Sequence, residues 1–437
     1  MSLLSKDWTN WKLKWLCTGG PVYGENIPAS AYVPQGLRFI RTTDIDGASG
    51  QLLEEGVFVS PDAVSETLAD GDLLLSRSGT IGRSFLYDLS SHGPCAFAGY
   101  LIRFRPKEPY LRRFLFWFTK SDGFLDQVKS AAVESTISNF NGQRYAEVEV
   151  PVPFEPFRAQ AIAAFLDRET AKIDALVAEQ ERLLVLLEEK RQTGIANAVT
   201  RGLDPTVPMK DSGVEWLGQV PAHWSVATTN VLKAPASTIT YGIVQAGPDI
   251  EGGIPYVRTS DMRGTELPLT GYLRTTPEIA AAYERSSIKA GDLVIAIRAS
   301  IGKTLIVPPE LAGGNLTQGT AKIEPGRNIL GKFLCYVLNS VPCQQHFASI
   351  AKGTTFKEIT LEMLRKLKVP QPSSAEQQRI VEYLAGVLPS IGQLISEAEI
   401  ARGLLHERRA ALISAAVTGK LDVRAPAPAT GPALAAE

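Results

Sequence analysis

Histidine and cysteine are scarce in this chain, four of each in 437 residues, and neither set clusters. His92, His223, His346 and His406 share no local group, which leaves little general-base capacity. Cys17, Cys95, Cys335 and Cys343 form no C-x-x-C pair, and only His346 lies near one of them. Zinc spacing is therefore missing, no metal is expected, and the thiols read as buried apolar side chains. No G-x-x-x-x-G-K-[ST] run grips a phosphate, which speaks against ATP hydrolysis, and no Asn or Asp followed by Pro-Pro and an aromatic holds a flipped adenine. The nearest carboxylate and lysine group, Glu188-Glu189-Lys190, falls in a helical region, and Ser286-x-x-Lys289 has no companion motif. Runs of eighteen apolar residues are absent, and the amino terminus MSLLSKDWTNWKLKW lacks a signal-peptide core. Neither membrane nor export is expected, so the address is cytoplasmic. Binding without catalysis is the expectation.

A basic surplus is also missing, because the net charge is −1. The charge is unevenly spread: residues 251–370 carry fifteen Lys and Arg against ten acids, whereas 31–151 carry twelve against fifteen. The second region attracts a polyanion unaided. For the first, a partner is expected to supply much of the positive surface.

What the chain does have is itself, twice. GLRFIRTTDI (36–45) returns as GIPYVRTSDM (253–262), and GDLLLSRSGTIGR (71–83) as GDLVIAIRASIGK (291–303). EVEVPVP (147–153) returns as KLKVPQP (366–372), and IANAVTRGLD (195–204) as ISAAVTGKLD (413–422). A period of about 216 to 220 residues is a domain plus a helix, far beyond a solenoid repeat. The result is a covalent pseudo-dimer, suited to a target that also has two parts.

Short apolar runs bounded by Gly, Pro, Asp and Ser predict strands in both copies: RFI, GVFVS, DLLLS and YLIRFRP, then PYVRT, DLVIAI, TLIVPP and TAKIEP. Apolar residues at three and four spacing predict helices around 110–130 and 328–350. The fold class is therefore α+β. After each Val-Pro segment a heptad seam begins, with Ile162, Leu166, Ile173, Leu176, Leu183 and Leu187 in the first copy. Ile380, Leu384, Ile391, Leu394, Leu405 and Leu412 follow in the second, where Pro389, Gly392 and Gly403 predict a kink or two consecutive helices. The two seams are expected to pack antiparallel as a coiled-coil spacer of about 60 Å related by a pseudo-two-fold axis. Five segments result: a first recognition domain over 1–155, a helix over 156–202, a second recognition domain over 203–372, a helix over 373–422 and a Pro- and Ala-rich tail over 423–437, expected to be disordered.

Three duplicated or divergent segments are candidate contacts. Arg77, Ser78, Thr80 and Arg83, with Arg298, Ser300 and Lys303 in the second copy, surround a Gly-containing turn. That turn either grips a phosphate or is a tight turn with surface cations. Arg41 and Thr43, with Arg258 and Ser260, stand beside Asp44 and Asp261; the acids are expected to bond local amides and the arginines to make contacts. The third segment is polar and poorly matched between copies: Asn139, Asn141, Gln143 and Arg144 against Lys352, Thr354, Thr355 and Lys357. These side-chain types address base edges in the major groove, although an ordinary variable loop has the same composition.

Together the RTTDI and RTSDM motifs, the GDL turns, the V-P-x-P segments, the helix QAIAAFLDRETAKIDALVAEQ (160–180) and the entry SGVEWLGQVPAHW (212–224) resemble the specificity subunit of type I restriction-modification systems. The resemblance spans the chain apart from its tail, and departs from the pattern where GVLPSIGQLI stands against RETAKIDALV. It implies two target recognition domains that read the halves of a gapped double-stranded DNA site. It also implies two modification subunits bringing S-adenosylmethionine, restriction subunits bringing ATP and Mg, and no cofactor in this chain. A coiled-coil scaffold without DNA readout is the competing reading, and a nuclease of another type the weaker one.

Overall fold

The structure, a computed structural model, describes residues 7–47, 49–78, 80–133, 140–353 and 357–423. The expected tail and three of the candidate contacts, Asn139, Thr354 and Thr355, lie outside the described residues. The chain is α+β and divides into two compact units, one of Met1–Glu181 with Ile400–Glu437 and the other of Arg182–Glu399.

In the first unit an antiparallel sheet runs in the order Cys17–Tyr23, Leu101–Pro106, Leu73–Ser76, Ser84–Leu86. Leu73, Leu74, Leu75 and Ser76 are all fully buried, as a continuous apolar run in an inner strand requires. A three-stranded sheet orders Val57–Val59, Leu37–Ile40, Cys95–Phe97, with its last pair parallel. A separate ribbon pairs Trp8–Lys12 with Glu149–Pro153, so the Val-Pro segment closes against the beginning of its own copy. Helices Pro109–Phe118 and Asp122–Val133 cover the four-stranded sheet, with Phe104, Phe114, Phe118, Phe124, Phe140 and Tyr145 in the core.

The second unit repeats these strand orders. Thr240–Tyr241, Thr320–Ile323, Leu293–Ala296 and Thr304–Ile306 form its four-stranded sheet. Arg274–Thr275, Ile254–Val257 and Asn315–Leu316 form its three-stranded sheet, again with a parallel last pair. Ser225–Thr228 pairs with Lys368–Gln371. One addition is a hairpin of Met209–Asp211 and Gln219–Pro221, contributed by the segment that enters this copy.

The Gly-Asp that precedes each inner strand has the same use twice. Asp72 Oδ2 accepts the Ala69 amide at 2.8 Å, and Asp292 Oδ2 accepts the Lys289 amide at 2.8 Å. Arg105 neutralises the buried Asp72, and Lys322 stands 4.0 Å from Asp292. An unpaired carboxylate at either place would be costly, which is why the motif recurs with a basic partner.

Two helices dominate by length, Pro156–Arg201 and Ser374–Val417. The second is one helix with Pro389 inside it, so of the two expectations from Pro389, Gly392 and Gly403, a kink or two consecutive helices, the second is excluded. Ile380, Leu384 and Ile391 are buried to either side of the proline, so packing offsets the hydrogen bond it removes. The heptad pattern needs a further correction, since Leu176, Leu183 and Leu394 are 51%, 40% and 49% exposed. Of their neighbours, Val177 is buried, and Leu184 and Ile395 are half-buried. Thr170 occupies a buried position between Leu166 and Ile173, its hydroxyl bonded to the Leu166 carbonyl at 2.6 Å. Of the other seam residues, Ile162, Leu166, Ile173, Leu187, Ile380, Leu384 and Ile391 are buried, and Leu405 and Leu412 are half-buried.

Each unit is completed by the end of a long helix from the other copy. Ile413, Ala416 and Val417 join the core of the first unit beside Ile162 and Leu166, and Asp174 pairs with Arg409 at 2.7 Å. Ala198 and Val199 join the core of the second unit beside Ile380 and Leu384. Fully burying each Ile or Val contributes roughly 1.5–3 kcal/mol.

Candidate nucleic-acid interface

The RTTD and RTSD motifs form the same closed cap in both units. The Arg41 amide donates to Asp44 Oδ2 at 2.9 Å, and Arg41 Nη2 pairs with Asp44 Oδ1 at 2.6 Å. The Arg258 amide donates to Asp261 Oδ2 at 2.9 Å, and Arg258 Nη2 pairs with Asp261 Oδ1 at 2.7 Å. Both acids bond local amides, and each guanidinium is engaged by its own acid, which holds it above its ordinary pKa. Thr43 and Ser260 are exposed at the tips of these caps.

The GDL turn is similarly committed. Arg83 Nη1 donates to the carbonyls of Thr42 and Ile45 at 3.1 and 2.8 Å, and Lys303 Nζ donates to the Arg263 carbonyl at 3.1 Å. The cation after the Ile-Gly pair thus ties the strand turn to the arginine cap in each copy. Gly82 and Gly302 have φ of +85° and +84°, and a Cβ at Gly302 would stand 2.6 Å from Phe347. Gly82 donates its amide to the Tyr145 hydroxyl at 2.9 Å, which itself donates to the Ser76 carbonyl at 2.7 Å. Of the two uses the motif allows, these bonds are those of a tight turn; its outer residues Ser78, Thr80 and Ser300 stay accessible.

The divergent segments are bound to that turn at matching places. The Phe140 amide donates to the Arg77 carbonyl at 2.8 Å, and the Ile359 amide to the Ile297 carbonyl at 3.1 Å. Asn141 caps the helix Gly142–Ala146 by accepting the Arg144 amide at 3.0 Å, and Arg144 Nη1 donates to the Ala131 carbonyl. Gln143 is exposed. In the second unit Lys352 and Glu358 exchange backbone hydrogen bonds at 2.9 Å, and Arg298 pairs with Glu358 at 2.7 Å. This brings Arg298, Lys352 and the exposed Lys357 to one rim.

In the first unit Arg41, Thr43, Ser78, Thr80 and Arg83 converge on an open cleft of about 600 Å³, whose walls include Ile27, Pro28, Tyr32, Phe39 and Tyr100. In the second unit a cleft of about 640 Å³ gathers Arg258, Ser260, Arg263 and Glu266, but Arg298, Ser300 and Lys303 are not among its walls. Sequence reasoning missed Tyr23, at the end of the strand Cys17–Tyr23, and Tyr32 and Tyr100, which lie outside helices and strands where no periodic signal exists. Tyr100 is 63% exposed, and the Arg77 guanidinium lies over the Tyr23 ring at 5.0 Å. Among the described residues no group of three or more His, Cys, Asp or Glu is placed to hold a metal, and no helix is long and apolar enough to cross a membrane.

Two α+β units of one topology, each presenting a polar rim built on a shared frame, define a two-part recognition protein. Residues 248–395 match the family of the type I restriction modification DNA specificity domain. The EcoBI specificity subunit of Escherichia coli is 25% identical over 73% of this chain and 67% of its own length. The MjaX specificity subunit of Methanocaldococcus jannaschii is 22% identical over 83% and 81%. In fold, a chain solved in work on complex assembly and conformational transition of the type I R-M system superposes with a TM-score of 0.76, at 18% identity over 96% of this chain and 99% of that one. The HsdS subunit of Thermoanaerobacter tengcongensis gives 0.56, at 17% identity over 96% and 98%. The chain thus carries this family's domain over residues 248–395, and along its length it is similar in sequence and fold to specificity subunits of type I restriction-modification systems.

Proposed function

We propose that the chain reads a bipartite, gapped site on double-stranded DNA, one half with each unit, and carries no active site of its own. The observation that carries this is the bond from Phe140 to Arg77 and its counterpart from Ile359 to Ile297. A frame common to both units holds segments whose side chains differ, which is what two readers of unlike half-sites require. The direct-contact set is Thr43, Ser78, Thr80, Asn139, Asn141 and Gln143 with Arg77 in the first unit, and Ser260, Arg298, Ser300, Lys352, Thr354, Thr355 and Lys357 in the second. Arg41, Arg83, Arg144, Arg258 and Lys303 hold these segments in place and add to the local potential.

The two long helices form an antiparallel coiled-coil spacer that sets the gap. Each has residues in both compact units, and each runs opposite to the other in chain order. Leu176, Ile400 and Leu404 in one unit and Leu183, Val185, Leu186 and Leu394 in the other are 40–59% exposed. Exposed apolar side chains of this kind suit contact with helices of two modification subunits. Those subunits supply S-adenosylmethionine chemistry and much of the positive charge, and restriction subunits supply ATP and Mg chemistry. The complex acts in the cytoplasm.

The test is methylation-site mapping of the chain with its modification subunit. One heptad inserted at matching places in both long helices, within 172–187 and 390–405, should lengthen the unspecified gap and leave both half-sites unchanged. Altered half-sites with an unchanged gap would refute the spacer.

A further inference from the structure

The turn that leads into the strand Leu101–Pro106 is held by the same three backbone bonds in both copies. The Arg77 amide donates to the Tyr100 carbonyl at 2.9 Å, the Gly99 amide to the Glu25 carbonyl at 2.8 Å and the Leu101 amide to the Ala98 carbonyl at 2.8 Å. In the second unit Ile297 donates to Gly319 at 2.9 Å, Gln318 to Ile243 at 3.0 Å and Thr320 to Thr317 at 3.2 Å. Tyr100 and Gly319 therefore occupy one place in a shared frame, and they are as unlike as two residues can be. Tyr100 is 63% exposed. At Gly319 a Cβ would stand 3.2 Å from the Thr259 Cγ2, so the second unit has little room for any side chain there.

The ring stands where contacts with DNA are proposed. It forms a wall of the first unit's cleft together with Ser78 and Thr80. The backbone of Arg77, which donates to Tyr100, also accepts the Phe140 amide, so Tyr100 sits beside the segment that differs between the copies. Among the described residues no side chain takes up its hydroxyl and no ring or cation stacks on it, so its apolar area is left for a partner. Tyrosine offers that area at little ordering cost, having two side-chain torsions, and here the backbone beneath it is already fixed. Bases in a paired duplex present only their edges, and the apolar group among the major-groove edges is the 5-methyl of thymine. The cleft walls next to Tyr100 are Ile27, Pro28, Tyr32 and Phe39, which favour a methyl group over a phosphate oxygen at the ring.

We infer that Tyr100 is a specificity-determining residue that recognises the 5-methyl group of a thymine in the half-site of the first unit, a contact the second unit does not make at Gly319. The inference rests on the proposed DNA-reading function, and one experiment separates the two. The chain and its modification subunit, co-expressed, are presented with a randomised DNA library, and the methylated sequences are counted for wild type, Tyr100→Phe and Tyr100→Ala. Tyr100→Ala should relax one A·T position of one half-site by about three- to ten-fold, the worth of one buried methyl group, with the other half-site and the gap unchanged. Tyr100→Phe keeps the ring and should keep the preference. Deoxyuridine, which lacks the methyl, is then placed at that thymine: affinity of the wild-type complex should fall by a similar factor, and that of the Tyr100→Ala complex should not fall further. Thermal melting, expected to match wild type for both variants because the ring is exposed, excludes loss of folding.

A wild-type complex that methylates no bipartite site would overturn the functional proposal itself. A wild-type bipartite site with unchanged preferences in Tyr100→Ala would overturn only this inference. An equal loss to deoxyuridine in wild type and Tyr100→Ala would overturn it as well, because another group would then read the methyl. Uniformly weaker methylation across sequences, or a Tyr100→Phe variant as impaired as Tyr100→Ala, would make the hydroxyl a backbone contact and overturn it too.

Discussion

Replacing the glycines of the duplicated Ile-Gly pair by alanine separates a structural motif from a ligand grip. Gly82 and Gly302 share a left-handed backbone, φ +85° and +84°, where an L side chain costs roughly 1–2 kcal/mol. Their surroundings differ. A Cβ at Gly82 would meet the Leu125 Cδ2 at 3.3 Å, the end of a flexible side chain that can yield. A Cβ at Gly302 would meet the buried Phe347 ring at 2.6 Å and the Gln344 amide at 2.9 Å. Gln344 is bonded to the Gly302 and Leu338 carbonyls, so it cannot swing away without losing both. Overpacking of this kind adds about 1–3 kcal/mol. Gly82→Ala should therefore lose about 1–2 kcal/mol, and Gly302→Ala about 2–5 kcal/mol, in urea denaturation of the complex-free chain. DNA affinity of the complex, measured where both variants remain folded, should change little. Equal stability losses, or intact stability with reduced affinity and a shallower salt dependence, would refute the assignment of the pair to the fold.

Lys120 is held down to a pKa of about 8 by burial first and by Arg409 next. Its folded value lies below its unfolded one, so the unfolded chain binds more protons between about pH 8 and 10.5, and stability from this group rises with pH across that window. Lys120→Met should be more stable than wild type at pH 7 by about 1–3 kcal/mol, with the gap closing toward pH 10.5; a gap independent of pH in denaturation curves would contradict it. On the first long helix, Val177→Asp should cost about 2–4 kcal/mol in the chain alone and Leu176→Asp about 0.5 kcal/mol or less. Leu176→Asp should instead reduce recovery of the modification subunit in pull-downs; the reverse ranking would restore Leu176 to the seam.

Local chemistry made a good part of this protein readable in advance. Leu73–Ser76 and Leu293–Ala296 announce inner strands by unbroken apolar runs between turn residues, and tertiary structure has no reason to overrule them. The adenine-holding and phosphate-gripping motifs are absent from the letters themselves. Leu176 and Val177 show where such reading stops. Both are apolar neighbours 100° apart on a helix, and only the packed partner surface selects which turns inward. Arg41 was equally illegible: beside Asp44 in sequence it is an exposed cation or half of a cap, and the geometry of one short turn decides.

The internal match between the two halves and the α+β class were legible in the sequence alone, because a self-match and short apolar runs between turn residues need no third dimension. Tertiary structure decided which of the candidate side chains are spent on the fold. Arg83 and Lys303 look like a duplicated pair of phosphate anchors as letters and hold carbonyls in space. Arg77 meets the ring of Tyr23, fifty-four positions away, across a sheet that pairs Cys17–Tyr23 with Leu101–Pro106 and that strand with Leu73–Ser76. Contacts between residues so distant in the chain exist only once the strands are ordered, and no local pattern encodes them.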